Sequence, residues 1–296
     1  MFTDNFLRAH GKRTGFPRMT GLYTSPPLIT TRERIRINSE PISKELFIIR
    51  FFEVWNVLLS FASHLEDMPR YRQLLMLLSF HVFAKANVEV AIYETHSGGE
   101  FDCTNVVKPI VTGITTLALD HVRMLGPLIE NIAWHKAGIF KPGVPAFSAL
   151  QESAAITVLT NRAAEKEALL RFVKDNPVLP VDAAALVPAA QRTNASLAIA
   201  LANAFLEKKI PHETVTLEPH TLSQEDVRLG VDHFFWPGRY QQITDGNCEW
   251  FLDVAHNDLS LRIATKWFVE TASITQQYEY TSTTPLLRFT NIEQAS

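Results

Sequence analysis

The sequence predicts an α/β protein built on a doubly wound, mostly parallel sheet, followed by a shorter α/β unit. Three observations lead there. The runs "VEVAIYE" (88–94) and "PIVTGITTLALD" (109–120) are continuously apolar and β-branched, as central strands covered on both faces must be. Around them lie segments with apolar residues every three to four positions, which is the helical period. The two kinds of segment alternate, and that calls for helices packed on both faces of a parallel sheet. At 296 residues the chain can bury one large core and part of a second.

Taken in order, residues 3–10 predict a short helix ended by Gly11, and "GLYTSP" predicts a strand. The segment 43–67 predicts a helix with Ser43 as N-cap and Glu45 in its first turn. A second helix covers 69–86, and the two apolar strands follow. "PLIENIAWHKAG" predicts a helix ended by Gly138, with Lys136 in its last turn. After "GVPAFSAL", a helix is expected over 152–174, then the Pro- and Ala-rich connection 175–191 and a helix over 193–209. "FFWPGRYQQI" predicts a junction. Residues 1–235 therefore form a central domain. Residues 236–296 hold a strand (248–257), a helix (258–270) and a polar tail, too little for a complete α/β domain.

Composition excludes several function classes. Apolar residues make up 46% and charged residues 20%, with a net charge of -3, which argues against disorder and against a broad nucleic-acid surface. The cysteines, Cys103 and Cys248, form no CxxC or zinc-spaced pair, so neither a disulfide framework nor a structural zinc is expected. His81, Lys85 and Glu89 interrupt the longest apolar stretch before it reaches membrane length, and no integral membrane segment is expected. A reducing compartment fits, with the cytoplasm favoured and the mitochondrion as the alternative. The first twenty residues carry four basic side chains and one acidic, only a faint transit-peptide pattern.

In doubly wound sheets ligands bind beyond the carboxyl ends of the strands, so the polar groups there are the candidates. "VEVAIYE" ends at Glu94 and enters the glycine-containing loop "THSGGEFDCTN". "ITTLALD" ends at Asp120 and His121, and "WFLD" ends at Asp253, with His256 and Asn257 beyond. Carboxylates and imidazoles at three strand ends suit a hard cation that neutralises phosphate charge. Each also has a plain reading: Glu94 as a cap or surface carboxylate, Asp120 as an N-cap, His121 as a solvated loop residue. His10, His64, His81, His212, His220 and His233 read as surface or satisfied core histidines. Lys136 either balances a helix dipole, or is driven by Ile132, Ala133 and Ile139 toward a neutral amine available for covalent chemistry.

Six blocks carry a resemblance. "GLYTSPPLITTRERIRINSEPIS", "DCTNVVKPIVTGITTLALDHVRMLG", "IENIAWHKAGIFKPGVPAF", "QRTNASLAIALANAFL", "WPGR" and "FLDVAHN" resemble, in order, blocks of fungal folylpolyglutamate synthases, relatives of the Mur ligases. The resemblance implies a Mur ligase-like fold and an ATP-dependent ligase. Such an enzyme activates the γ-carboxylate of tetrahydrofolate as an acyl phosphate, which the amine of L-glutamate attacks. It implies that Glu94 binds magnesium, that His121 holds a second magnesium, and that Lys136 is carried as a carbamate helping to hold that metal. It implies ATP contacts for Asn194, Arg239, Asp253 and His256. ATP and Mg2+ are the implied cofactors, with a monovalent cation as a further one, and a monomer is expected.

The resemblance has gaps. The family opens with a strand and a Walker-type phosphate loop, whereas "MFTDNFLRAHG" matches the helix after it, so the first strand and loop are expected to be absent and the last domain truncated. The family's glycine, any residue, glycine, glycine run is here His96, Ser97, Gly98, Gly99, and Val254 stands where the family has glycine. The alternative function is a non-catalytic remnant retaining a folate, metal or partner surface. A metal-dependent hydrolase with a carbamylated lysine ranks third, because no HxH or HxxxH occurs.

Overall fold

The computed structural model describes residues 1–209, 221–246 and 248–276. His212, His220 and the Thr- and Gln-rich tail lie outside them. The chain opens with helix α1 (Phe2–Thr14), which runs through Gly11 and ends at Gly15, a left-handed residue with φ 87°. Gly11 therefore does not end the helix as expected. It sits where a Cβ would lie 1.9 Å from the Pro17 carbonyl oxygen, so it permits close approach rather than a turn. Strands β1 (Thr20–Tyr23), β2 (Ile35–Ile37) and β3 (Glu40–Pro41) follow. Helix α2 (Lys44–Phe61) starts as predicted, with the Ser43 side chain accepting from the Leu46 N–H, and α3 (Tyr71–Lys85) leads into β4 (Val90–Tyr93).

The second apolar run yields only a three-residue strand, β5 (Thr112–Ile114), and the short helix α4 (Val122–Leu125) precedes α5 (Ile129–Lys136). The expected helix over 152–174 resolves into two elements, a helix and a strand. "PAFSA" before it is strand β6 (Pro145–Ala149), the helix α6 stops at Ser153–Glu165, and "LLRFV" is strand β7 (Leu169–Val173). Glu167 adopts a left-handed φ of 54°, which ends the helix and turns the chain into the strand. Helices α7 (Ala189–Lys209) and α8 (Gln224–Asp232), the hairpin β8 (Gln241–Asp245) with β9 (Cys248–Leu252), and α9 (Asp258–Gln276) complete the described chain.

The strands form two larger sheets and the hairpin. One is ordered β3-β2-β1-β4, with β1 parallel to β4 and antiparallel to β2; the other is the all-parallel β5-β6-β7. The α/β character and the parallel pairing match expectation. A single continuous sheet does not form among the described residues, because β4 and β5 are edge strands that do not pair with one another.

A core cluster ties the two sheets together: Phe2, Phe6 and Leu7 of α1 pack with Val90 of β4 and with Ala198, Ile199 and Ala202 of α7. Each buried apolar side chain of this kind contributes roughly 1.5–3 kcal/mol, so this cluster, rather than sheet hydrogen bonds, holds β4 and β5 in place. Arg13 of α1 also pairs with the buried Asp226 of α8 at 2.7 Å. No helix among the described residues is long and apolar enough to cross a membrane.

Candidate active site

A cavity of about 850 Å³ lies between the edge strands β4 and β5, lined by both strands and by Leu7 of α1 and Leu201 and Phe205 of α7. Its polar end gathers Glu94, Asp120, His121, Lys136, Arg239 and His256. Each arrives there for a local reason. Glu94 follows β4, its N–H bonded to the Tyr23 carbonyl at 2.9 Å, so the sheet carries it to the end of the strand. Its carboxylate accepts the Ser25 N–H at 3.0 Å. Water in the cavity reaches this carboxyl, yet protein surrounds it at depth. Burial raises its pKa, against the Ser25 hydrogen bond and the charges of Arg239 and Lys136.

Asp120 is the hub on the opposite side. One oxygen accepts the His121 N–H at 2.8 Å, and the other lies 3.3 Å from Nε2 of His256 and 3.8 Å from Nε2 of His121. His121 itself, at the N-cap position of α4, adopts a left-handed φ of 52°, a conformation uncommon for a residue with a Cβ. Lys136 ends α5 and is half-buried. Burial lowers its pKa, against the opposing pull of Asp120 and Glu94. Lys136 lines the cavity, where the charges of Asp120 and Glu94 act on it.

The loop after β4 is locked by a second carboxylate. Asp102 accepts the N–H groups of His96 and Ser97 at 3.0 Å each, and the N–H and hydroxyl of Thr104 at 2.9 and 2.7 Å. Burial works to raise this carboxyl, but the hydrogen bonds from His96, Thr104 and Ser97 outweigh it and hold it well below the usual carboxylate range. His96 lies between Asp102 and Tyr23, whose hydroxyl is 2.8 Å from Nε2. With Cys103 these residues form the one compact group of metal-capable donors among the described residues. Asp102 is already occupied by three backbone N–H groups, so the group reads as the anchor of the loop.

Two predicted residues fall elsewhere. Asn194 lies near the start of α7, 3.5 Å from Gln191, and does not line the cavity. Asp253 accepts the N–H groups of Tyr240 and Ala255 at 2.9 and 2.8 Å, so it fixes the segments that carry Arg239 and His256 without lining the cavity itself. Sequence reasoning placed Asp120 at a strand end but missed its role as hub, because His256 lies 136 residues away. It missed the Asp102 anchor as well, although the pattern of Asp followed by Thr two residues later is a local turn signal.

The donor set fits a hard cation. Magnesium keeps several waters and takes one or two protein carboxylates together with substrate phosphates, and the cavity-facing carboxyl of Glu94 meets that need. Among the described residues, Glu94 and His121 belong to no compact group of metal-capable donors.

Comparison with known proteins gives the same direction. No protein-family model matches the chain. A folylpolyglutamate synthase of Neurospora crassa is 46% identical over 279 residues, which is 91% of this chain and 52% of that protein. One from Saccharomyces cerevisiae is 39% identical over 287 residues, covering 93% of this chain and 52% of that protein. The chain thus spans about half the length of the curated relatives it matches. Among solved structures, an FPGS–AMPPCP complex superposes with a TM-score of 0.76 at 25% identity, over 92% of this chain and 70% of that one. A Mycobacterium tuberculosis folylpolyglutamate synthase complexed with ADP and AMPPCP gives 0.73 at 25% identity, over 90% and 62%.

Proposed function

From its 46% identity to a folylpolyglutamate synthase over 91% of the chain, we propose that this chain belongs to that family and that its cavity serves an ATP-dependent ligase that adds L-glutamate to the γ-carboxylate of tetrahydrofolate through an acyl phosphate. The observation that carries this reading is the convergence of Glu94, His121, Lys136, Arg239 and His256 on the polar end of one cavity. Carboxylate, imidazole and guanidinium are the groups that phosphoryl transfer needs, because that chemistry is mostly positioning and charge neutralisation.

In this proposal Glu94 offers its carboxylate to Mg2+, which when bound neutralises phosphate charge, and His121 faces a second ion. Arg239 meets ATP phosphate oxygens with its planar fork. His256, held by Asp120, borders the nucleotide. Asp253 acts by positioning Arg239 and His256, and Asn194 keeps the ATP contact that the resemblance implies, from a place in α7 outside the cavity lining. The central unit (1–235) supplies most of the cavity, and the second unit (236–296) closes it with Arg239 and His256. Lys136, lowered in pKa by burial, forms a carbamate: its neutral amine bonds to the carbon of CO2 and releases one proton. The resulting anion replaces a cation beside Asp120 and Glu94, a change that is favourable only when Mg2+ is there to offset three negative groups.

The test is incorporation of labelled L-glutamate into tetrahydrofolate with ATP and Mg2+, read with ADP release. Ligation that Glu94→Gln lowers at least a hundredfold supports the proposal. A second reading, in which the cavity holds a folate without turnover, is favoured by one observation: the His96 ring fills the loop after β4 and is fixed there between Tyr23 and Asp102. Folate binding with no ADP release would decide for it.

A further inference from the structure

Arg34 lies at the other wall of the same cavity and has no place in the roles above. It ends the 3-10 turn Thr31–Arg34 just before β2, is only 8% exposed, and lines the cavity. Two of its three nitrogens, Nε and Nη1, are buried and have no hydrogen-bond partner. Its guanidinium carbon lies 6.0 Å from the centre of the Tyr71 ring. The carboxylates of this region are committed to backbone N–H groups: Glu33 accepts from Leu28, Ile29 and Thr30, and Asp102 from His96, Ser97 and Thr104. Arg72, next to Tyr71, lines the same stretch of cavity, with Nη1 3.5 Å from the Ser97 hydroxyl.

A guanidinium is always charged, and burying it with unmet donors is costly. Buried polar groups without partners are few in folded proteins, and a functional role is one of the reasons such a group is kept. The missing partner must be an anion with more than one acceptor atom, because more than one donor waits. We propose that Arg34, with Arg72 beside it, forms a carboxylate seat in this cavity, reached by a small rotation of the guanidinium toward a bound ligand. The carboxylate is favoured over a phosphate because the guanidinium flanks the Tyr71 ring, and because the backbone N–H groups of the neighbouring loop, those of His96, Ser97 and Thr104, are already taken by Asp102. The planar fork of arginine also matches a planar carboxylate. That the seated group belongs to a folate-type substrate rests on the ligase reading; that a carboxylate is seated there does not.

The experiment uses the full chain and three probes: p-aminobenzoyl-L-glutamate, inorganic phosphate and AMPPCP with Mg2+. Calorimetry on wild type, Arg34→Gln and Arg34→Lys gives affinities, and thermal melts give stability with and without each probe. We expect Arg34→Gln to weaken the p-aminobenzoyl-L-glutamate complex at least tenfold, with Arg34→Lys between, and AMPPCP unaffected. The ligand-free Tm of Arg34→Gln should equal or exceed that of wild type, because a buried charge with unmet donors is removed, while the rise in Tm caused by the carboxylate probe should vanish. Unchanged affinity in Arg34→Gln, or no binding of the probe by wild type, overturns the seat. A lower ligand-free Tm with an unchanged ligand effect makes Arg34 structural. Equal displacement by phosphate overturns the choice of carboxylate. Failure of glutamate addition with this binding intact would count against the ligase reading alone.

Discussion

Asp102 shows what one carboxylate does when three backbone N–H groups depend on it. Asp102→Ala would leave the N–H groups of His96, Ser97 and Thr104 without their acceptor, and each unmet buried donor costs about 1–3 kcal/mol. The expected loss is at least about 3 kcal/mol in denaturant unfolding. A change under about 1 kcal/mol would mean that water takes over the loop. The pH dependence has a definite sign. The folded-state pKa is depressed, so this stabilisation is present above the ordinary carboxylate pKa of about 4 and is lost as pH falls below it toward the folded value. Asp102→Ala should therefore show a shallower loss of stability below about pH 4 than wild type. Lys136 carries a second prediction: with 13C-bicarbonate, a carbamate resonance should appear only when Mg2+ is added, and should be missing in Lys136→Ala. A resonance equally strong without Mg2+ would break the link drawn between the anion and the metal. Strand-end logic put Glu94 at the cavity, directly after β4, whereas His121 also lines it although β5 ends seven residues earlier, at Ile114. Asp102 and Arg34 were not legible as functional, because their meaning depends on which donors lack partners after folding.

At the scale of elements, local signals were read well where capping chemistry set the boundary and poorly where packing did. Ser43 opens α2 as its hydroxyl requires. Gly11 and the 152–174 segment were misread, one because close packing mimics a helix stop and the other because "LLRFV" has the apolar content of a helix but belongs to a parallel strand. Gly138, expected to end a helix, instead lies inside the 3-10 turn Ala137–Ile139 that continues α5, without a left-handed φ, and it too permits close approach. It follows α5, and a Cβ there would lie 2.2 Å from the Glu100 Cα and 2.3 Å from its nitrogen. That backbone belongs to the loop after β4, where the Glu100 N–H also bonds to the His135 carbonyl at 2.7 Å. Gly138→Ala should thus push α5 and Lys136 away from the loop that Asp102 anchors, costing about 1–3 kcal/mol. Chemical denaturation would read the cost. A variant with unchanged stability would mean that the α5–loop contact is soft, and Lys136 less firmly placed than its neighbours.

At the scale of the whole molecule, the described residues form two half-sheets joined by α1 and α7 across a cavity. Edge strands β4 and β5 both border that space, and the Thr112 hydroxyl of β5 is buried there with no partner. On its other side β4 pairs with β1 and β5 with β6, and the bridging cluster packs the two halves against one another. A ligand that binds this folded arrangement and not the unfolded chain must stabilise it, by about 2.7 kcal/mol at a free concentration one hundred times its Kd. Tetrahydrofolate, and separately AMPPCP with Mg2+, should therefore raise Tm by several degrees, and the two increments should at least add, because both would brace the same gap. Glu94→Gln should remove the dependence of the nucleotide increment on Mg2+ while leaving the tetrahydrofolate increment intact, since only the former draws on the carboxylate after β4. A tetrahydrofolate increment lost together with the magnesium dependence would place both ligands on Glu94, and the division of the cavity into a cation-binding end and a carboxylate seat at Arg34 would not survive it.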